Sequence, residues 1–339
     1  MVILPKQDSS KSEDNTIKKL IITPMNKVQK IKSRRTKAGI LFVLLFVLCL
    51  RANAQFDPMF TQYMNNEMFI NPAYTGTRKV LVTTLLYRNQ WVGIEGSPKT
   101  QTFSIHSPTS KKCGVGISVM NESIGISRTL RLNGNYSYRI RTSEKGQLSF
   151  GLQGGIIQYH QNYNELVLVN PNDNLFNSNL SNAIAPNAGF GMFYYTNRFY
   201  LGFSIPRMIK NSFKSSGFQN SASPKDWHYY LTSAIVLNVS DNFKLKPSVM
   251  IKEVYGAPIQ GELAIHGLFD NVWWIGASYR TGDAISAITG FQLSNQLRIF
   301  YSYDYTLTAL QNYSSGSHEI VISYDFAVRN NRIASPRIF

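Results

Sequence analysis

Five histidines are the residues best suited to acid–base chemistry or metal binding, and their spacing indicates neither. They are His106, His160, His228, His266 and His318. No two of them are three or four residues apart, as zinc-binding histidines on one helix face would be. Glu262 would share a strand face with His266, but such a pair is more often structural than catalytic. The sequence also has no GxSxG motif, no phosphate-binding loop and no CxxC pair, so we predict no enzyme, no cofactor and no metal site.

Charged residues instead occur at alternate positions of several apolar segments. In residues 242–252, for example, Lys244 and Lys246 alternate with Phe243 and Leu245. A period of two predicts β-strands with one apolar face and one polar face. The polar faces carry eight candidate charges that would lie together inside a closed sheet: Arg131, Arg139, Lys244, Lys246, Glu262, Arg298, Asp304 and Glu319.

Fourteen candidate strands lie between residues 78 and 328, an even number that closes an antiparallel barrel. A soluble sandwich would show the same alternation, so the connections between strands decide. Tight turns such as Asp270-Asn271 alternate with long connections at residues 161–186, 207–227 and 306–316. Short turns on one side and long loops on the other are typical of outer-membrane barrels, with the long loops outside the cell. We therefore predict an all-β fold, an outer-membrane antiparallel β-barrel of about 14 strands with a short periplasmic N-terminal segment.

The first 54 residues have the pattern of a signal peptide. A basic stretch at residues 27–37 precedes the apolar run of residues 38–50, and Ala52-Asn53-Ala54 supplies a cleavage site. We take Met25 as the true start, residues 1–24 as an incorrectly assigned extension, and residues 329–339 as a C-terminal tail. Residues 1–54 carry 11 of the 35 Lys and Arg and 3 of the 19 Asp and Glu, so they hold 8 of the 16 net positive charges. The remaining charge is dispersed and does not predict a nucleic-acid partner.

Residues 55–77 precede the first strand and form a segment of unusual composition. They are rich in aromatic residues, contain two prolines and lack a clean period of two or 3.6. A disordered tail would not have this composition. Two interpretations stay open: the segment docks on the barrel mouth or a periplasmic partner, or it is a cap that fills the lumen for stability. Its candidate partner-binding residues are Asp57, Pro58, Gln62, Tyr63, Asn71, Pro72, Tyr74 and Gly76.

Three parts of the chain resemble the PorP/SprF family of type IX secretion system membrane proteins. Residues 55–76 (QFDPMFTQYMNNEMFINPAYTG) resemble the mature N-terminus of the family. Residues 87–91 (YRNQW), followed by Pro98, resemble its first-strand motif, and residues 316–326 (GSHEIVISYDF) resemble its last strand.

The resemblance implies a non-enzymatic outer-membrane component that supports secretion or surface attachment of cargo proteins, with gliding motility as an associated role. It also implies three kinds of partner: outer-membrane lipid, type IX components in the periplasm, and a secreted cargo protein or surface adhesin. The rival hypothesis is a passive pore for small solutes, in which the arginines and lysines of the lumen attract anions. Those cations could instead pair with Glu262, Asp304 and Glu319 inside a plugged barrel.

Overall fold

The computed structural model of the protein describes residues 58–162, 180–214 and 217–326. The predicted signal peptide, Asp57 and the predicted C-terminal tail lie outside the described residues. Within these described residues, the fold is built from β-strands with five short helical segments, Tyr63–Asn65, Glu67–Ile70 (α1), Pro72–Tyr74, Pro224–Asp226 and Ala309–Asn312. No helix in this part of the chain is long and apolar enough to cross a membrane.

Fourteen strands form one antiparallel barrel, as predicted. They are β1 Leu81–Asn89, β2 Lys99–Pro108, β3 Cys113–Ile124, β4 Ser127–Arg141, β5 Gln147–Gln161, β6 Leu180–Tyr195, β7 Phe199–Ile205, β8 His228–Ile235, β9 Phe243–Val254, β10 Gln260–Phe269, β11 Trp273–Arg280, β12 Ala284–Gln292, β13 Leu297–Thr306 and β14 Ser317–Phe326. Each strand pairs with the next along the chain, and β1 pairs with β14 to close the barrel. A two-residue strand, Leu237–Asn238, also pairs with β9, and the hairpin of Lys210–Lys214 and Gly217–Ser221 forms a separate small sheet.

The strands alternate between an apolar outer face and a polar inner face. In β10, the outward Leu263 and Ile265 are 62% and 48% exposed, whereas the inward Glu262 and His266 are 0% and 5% exposed. Apolar side chains that face outward lie where lipid hydrocarbon surrounds a membrane barrel, and the polar side chains face each other inside. The closed sheet with this alternation confirms the outer-membrane barrel predicted from the period of two together with the lengths of the connections.

The two ends of the barrel differ in the length of their connections. At one end, which we call the short-turn end, the strands join through short turns, for example at Asp270-Asn271. Both residues have positive φ, at 50° and 55°, as in a type I′ turn, and three residues separate the paired Phe269 and Trp273. The other end, the long-loop end, carries the longer connections at residues 90–98, 206–227 and 307–316.

Residues 58–77, which we call the plug, lie inside the barrel. Thr61 bonds to Asp304 near the long-loop end, and Gly76 bonds to His106 near the short-turn end. The sequence assigned this segment to the periplasmic side and left open a cap that fills the lumen; the contacts of residues 58–77 place them in the lumen. The reason is packing: Phe60, Tyr63 and Ile70 are buried in one apolar cluster with inward strand residues, including Met250 and Phe300. Burying this apolar surface within the barrel is favourable.

The path of the plug predicts which side of the membrane each of its ends faces. In a Cys113→Ser background, Pro58→Cys lies at the long-loop end of the segment, and Lys79→Cys is exposed beside the start of β1 at the short-turn end. A membrane-impermeant maleimide added to intact cells should label Pro58→Cys and leave Lys79→Cys unlabelled until the outer membrane is opened. Tyr313→Cys, 75% exposed in a long loop, is the positive control. Labelling of Lys79→Cys but not Pro58→Cys on intact cells would contradict this orientation.

Candidate functional site

A cluster of charged side chains at the long-loop end holds the start of the plug. We call it the upper cluster; it consists of Arg88, Glu262, Arg280, Asp304 and Glu319. Glu319 accepts hydrogen bonds from the backbone N–H groups of Thr61, at 3.1 Å, and Gln62, at 2.8 Å. The Thr61 hydroxyl donates to Asp304 at 2.7 Å and accepts from Arg88 at 3.1 Å and Arg280 at 3.0 Å. The hydroxyl group is therefore held by an acid and two arginines together.

The upper cluster is also paired within the barrel wall. Arg88 contacts Asp304 at 2.7 Å and Glu319 at 3.0 Å, and Arg280 contacts Glu262 at 2.9 Å. All five side chains are at most 2% exposed. Charges buried this deeply require partners with good geometry, because removal from water is unfavourable for each. The wall supplies those partners from five strands, β1, β10, β11, β13 and β14, independently of the plug.

The middle of the plug is held through its asparagines and its main chain. The Asn66 amide donates to Thr102 at 3.0 Å and accepts from Ser104 at 3.2 Å, both on β2. Asn71 accepts from the Ala73 N–H at 2.9 Å, which caps the helical turn Pro72–Tyr74. The amide of Asn71 also donates to the Met192 carbonyl oxygen on β6 at 2.9 Å. These contacts fix the plug against both sides of the barrel.

Glycines on the inner face leave room for the plug backbone. A Cβ added at Gly151 of β5 would lie 2.1 Å from the Ala73 nitrogen, and one added at Gly191 of β6 would lie 2.1 Å from Asn71 Oδ1. A Cβ at Gly114 of β3 would lie 2.6 Å from the Thr75 carbonyl oxygen. No side chain larger than hydrogen fits at these positions without moving the plug. The wall and the plug therefore match each other in shape over the residues 71–76.

The end of the plug is held by a second polar contact near the short-turn end. Ser137 donates to the Thr75 carbonyl at 2.6 Å, and the Gly76 N–H donates to His106 Nδ1 at 3.0 Å. Arg139 donates to the Gly76 carbonyl oxygen. Gly76 has φ of 65°, a left-handed conformation that favours glycine, so this position and its contacts suit glycine alone.

The candidate partner-binding residues within the described part of the chain all lie in the plug. Gln62, Tyr63 and Asn71 are at most 1% exposed, Pro72 and Gly76 are buried, and Pro58 and Tyr74 are partly buried. Their observed contacts are to the wall of the same barrel. A role in binding another protein stays a prediction for them.

The structure brings only some of the eight candidate lumen charges together. Glu262, Asp304 and Glu319 belong to the upper cluster, and Arg139 contacts the end of the plug. Arg298 pairs with Asp325 at 3.0 Å, and the Lys246 ammonium lies 6.0 Å from the centre of the Tyr200 ring. Lys244 bonds to Asn271 in a turn at 2.6 Å, so it lies at the rim, and Arg131 is partly buried beside Pro58.

The sequence analysis missed Arg88 and Arg280 as lumen charges, although both are central to the upper cluster. Their alternating positions along the strands could have indicated them. Arg88 shares the inward face of β1 with Thr84 and Leu86, and Arg280 shares the inward face of β11 with Ser278. Glu262 and His266 share the inner face of β10, as their spacing indicates, and Glu262 bonds to Arg280.

Two small cavities lie in the interior beside the plug. A cavity of about 30 Å³ lies beside Pro58, Phe60 and Arg131, and one of about 10 Å³ lies beside Asn66 and His106. Each holds no more than a few water molecules. Within the described residues, no three His, Cys, Asp or Glu side chains form a group that could hold a metal ion.

Three solved outer-membrane proteins are similar in structure. A FadL homologue of Pseudomonas aeruginosa is 14% identical, with 81% of this chain and 96% of that chain covered and a TM-score of 0.44. Omp33 of Acinetobacter baumannii is 8% identical, with 74% and 100% covered and a TM-score of 0.43. The toluene transporter TodX of P. putida is 10% identical, with 78% and 95% covered and a TM-score of 0.43.

A search of curated protein sequences found no match. The sequence does match one protein family, described as type IX secretion system membrane protein PorP/SprF, over residues 52–324. That range includes the plug and all the strands of the barrel up to Tyr324 in β14. The protein is therefore an outer-membrane β-barrel that belongs to the PorP/SprF family of type IX secretion system membrane proteins.

Proposed function

We propose that this protein supports the secretion or the surface attachment of cargo proteins by the type IX secretion system, and through that role gliding motility. The observation that carries the proposal is the family match, which extends over the plug as well as the barrel. The proposed partners are periplasmic type IX components at the short-turn end and a cargo protein or surface adhesin at the long-loop end. Neither role requires catalysis, and the family is not a class of enzymes.

The long-loop end offers a surface suited to a protein partner. Tyr255, Ile259 and Tyr313 lie in its connections and are 69%, 63% and 75% exposed. The hairpin of Lys210–Lys214 and Gly217–Ser221 extends from the same end. Exposed aromatic and aliphatic side chains grouped at one end of a barrel favour protein contacts.

The pore alternative has weaker support from the contacts of the lumen. Arg139 and Arg298, two of the cations predicted to attract anions, are bonded to the Gly76 carbonyl and to Asp325. The plug occupies the space that a solute would cross, and cavities of about 30 Å³ and about 10 Å³ lie beside it. A plugged barrel that works through its two ends fits these contacts better than a passive channel.

An affinity purification of the tagged protein from gently solubilised outer membranes tests the proposal. We expect mass spectrometry to identify type IX components and a cargo protein or adhesin. A variant with residues 210–221 replaced by a short glycine–serine linker should lose the cargo protein and keep the periplasmic components. The matched control carries the same kind of replacement in the tight turn of residues 143–146. Recovery of the barrel alone, together with ion conductance in planar bilayers, would favour the pore.

A further inference from the structure

The wall recognises the plug largely through its main chain. Side chains of the wall bond to six backbone groups of the plug: the N–H groups of Thr61, Gln62 and Gly76 and the carbonyl oxygens of Ile70, Thr75 and Gly76. Contacts to main-chain groups can be made to any chain that takes the same path. The wall therefore has the properties of a peptide-binding site, in which side-chain contacts add selectivity.

Selectivity at the long-loop end comes from two side chains of the plug. The Thr61 hydroxyl donates a hydrogen bond to Asp304 and accepts hydrogen bonds from Arg88 and Arg280. The Gln62 amide donates to the Ser302 hydroxyl and to the Glu319 carbonyl oxygen, each at 3.2 Å. A hydroxyl residue followed by glutamine is thus the chemistry that the upper cluster fits. A valine in place of the threonine would remove one hydrogen bond from each of the three buried side chains of Asp304, Arg88 and Arg280, although their ion pairs within the wall would remain.

The site would remain organised without its occupant. The ion pairs of Arg88 with Asp304 and of Arg280 with Glu262 lie within the wall, and the Arg280 guanidinium also contacts Asp283 at 2.9 Å. A site that is organised before binding loses less conformational entropy when a ligand binds. The plug is attached covalently to the barrel only at the short-turn end, through residues 77–80.

The direction of the plug limits what could replace it. Its chain enters at the short-turn end and runs toward the long-loop end in the C-terminal to N-terminal direction. A replacement that enters from the short-turn end in the same direction must lead with a free N-terminus. The plug of a second copy cannot reach, because the four residues 77–80 span at most about 14 Å, less than the diameter of about 28 Å expected for a fourteen-stranded barrel.

We propose that the lumen is a peptide-binding site which exchanges the plug for the free N-terminal segment of another protein on the short-turn side. That segment carries threonine or serine followed by glutamine, and it takes the place of Thr61 and Gln62. The inference goes beyond the secretion role and does not depend on it, because it concerns only the chemistry of the lumen.

The test uses the full barrel in detergent with a protease site inserted after the exposed Lys79. After cleavage, a fluorescein-labelled peptide of residues 55–79 is added, and its binding is followed by fluorescence anisotropy. We expect the labelled peptide to exchange with the resident plug, and we expect a Thr61→Val peptide to bind at least about tenfold more weakly. A scrambled peptide is the control. No exchange in a barrel that remains folded, or equal binding of the scrambled peptide, would overturn the proposal.

A second measurement covers the case in which cleavage unfolds the barrel. In the uncleaved chain with Cys113→Ser and Pro58→Cys, an excess of the same peptide should increase the rate of maleimide labelling at least threefold by displacing the plug. The Thr61→Val peptide should have a smaller effect. A labelling rate that does not respond to the peptide would overturn the proposal independently of the cleavage experiment and of any test of secretion.

Discussion

Replacement of Arg88 with methionine should lower the free energy of unfolding by about 3–5 kcal/mol, the largest effect that we expect from a single substitution in the wall. Arg88 is 2% exposed and contacts both Asp304 and Glu319. Methionine keeps the apolar stem of arginine but has no charge, so two buried carboxylates would lose their nearest cation. Asp304 would keep a contact to Arg280 only at 3.9 Å.

Urea unfolding in lipid vesicles, followed by tryptophan fluorescence, measures this change. The control is Arg141→Met, because Arg141 is exposed and bonds only to the carbonyl oxygens of Ser143 and Glu144 in a turn. That substitution should change the free energy of unfolding by less than about 0.5 kcal/mol. If the two variants unfold at the same urea concentration, the ion pairs of Arg88 in the upper cluster do not stabilise the folded barrel.

The strands could be predicted from sequence because their signal is local. Alternation of apolar and polar residues within eight to fifteen positions reflects a barrel with lipid on one side and polar groups on the other. The tight turns carry their own signal, as at Asp270-Asn271, where both residues have positive φ. Strand ends were harder to predict: β6 begins at Leu180, within residues that the sequence analysis assigned to a long loop. Pairing with β5 extends the strand beyond the region where alternation is clear.

The contacts of the plug could not be predicted in the same way. The sequence indicated an ordered, aromatic-rich segment, and filling of the lumen was one of the two interpretations left open. The choice between them depends on partners that are distant in sequence, such as Thr61 and Asp304, which are 243 residues apart. Alternation along the strands places Arg88 and Asp304 on inner faces. It does not predict that the Thr61 hydroxyl of the plug lies between them. Only the closure of the barrel brings these strands and the plug together.

The glycines on the inner face of the barrel show how the plug and the wall depend on each other in shape. Gly151 and Gly154 lie on the same strand, β5, and face opposite sides of it. A Cβ at Gly151 would be within 2.3 Å of the Pro72 carbonyl carbon, whereas a Cβ at Gly154 would meet no atom within 4 Å. The first glycine is required by the plug, and the second is not. Two otherwise equal substitutions can therefore separate the fit of the plug from the general effect of glycine in a strand.

Gly151→Val should displace residues 72–74 from the wall and open the lumen, because backbone atoms of the plug cannot yield as a flexible side chain could. In planar bilayers, we expect the variant to show ion-conducting steps at least tenfold more often than the unchanged protein. Gly154→Val adds the same side chain on the outer face and should conduct like the unchanged protein. Both variants must first show the same heat-modifiable migration on gels as folded barrels. Equal conductance of all three proteins would mean that the plug does not depend on this glycine to close the barrel.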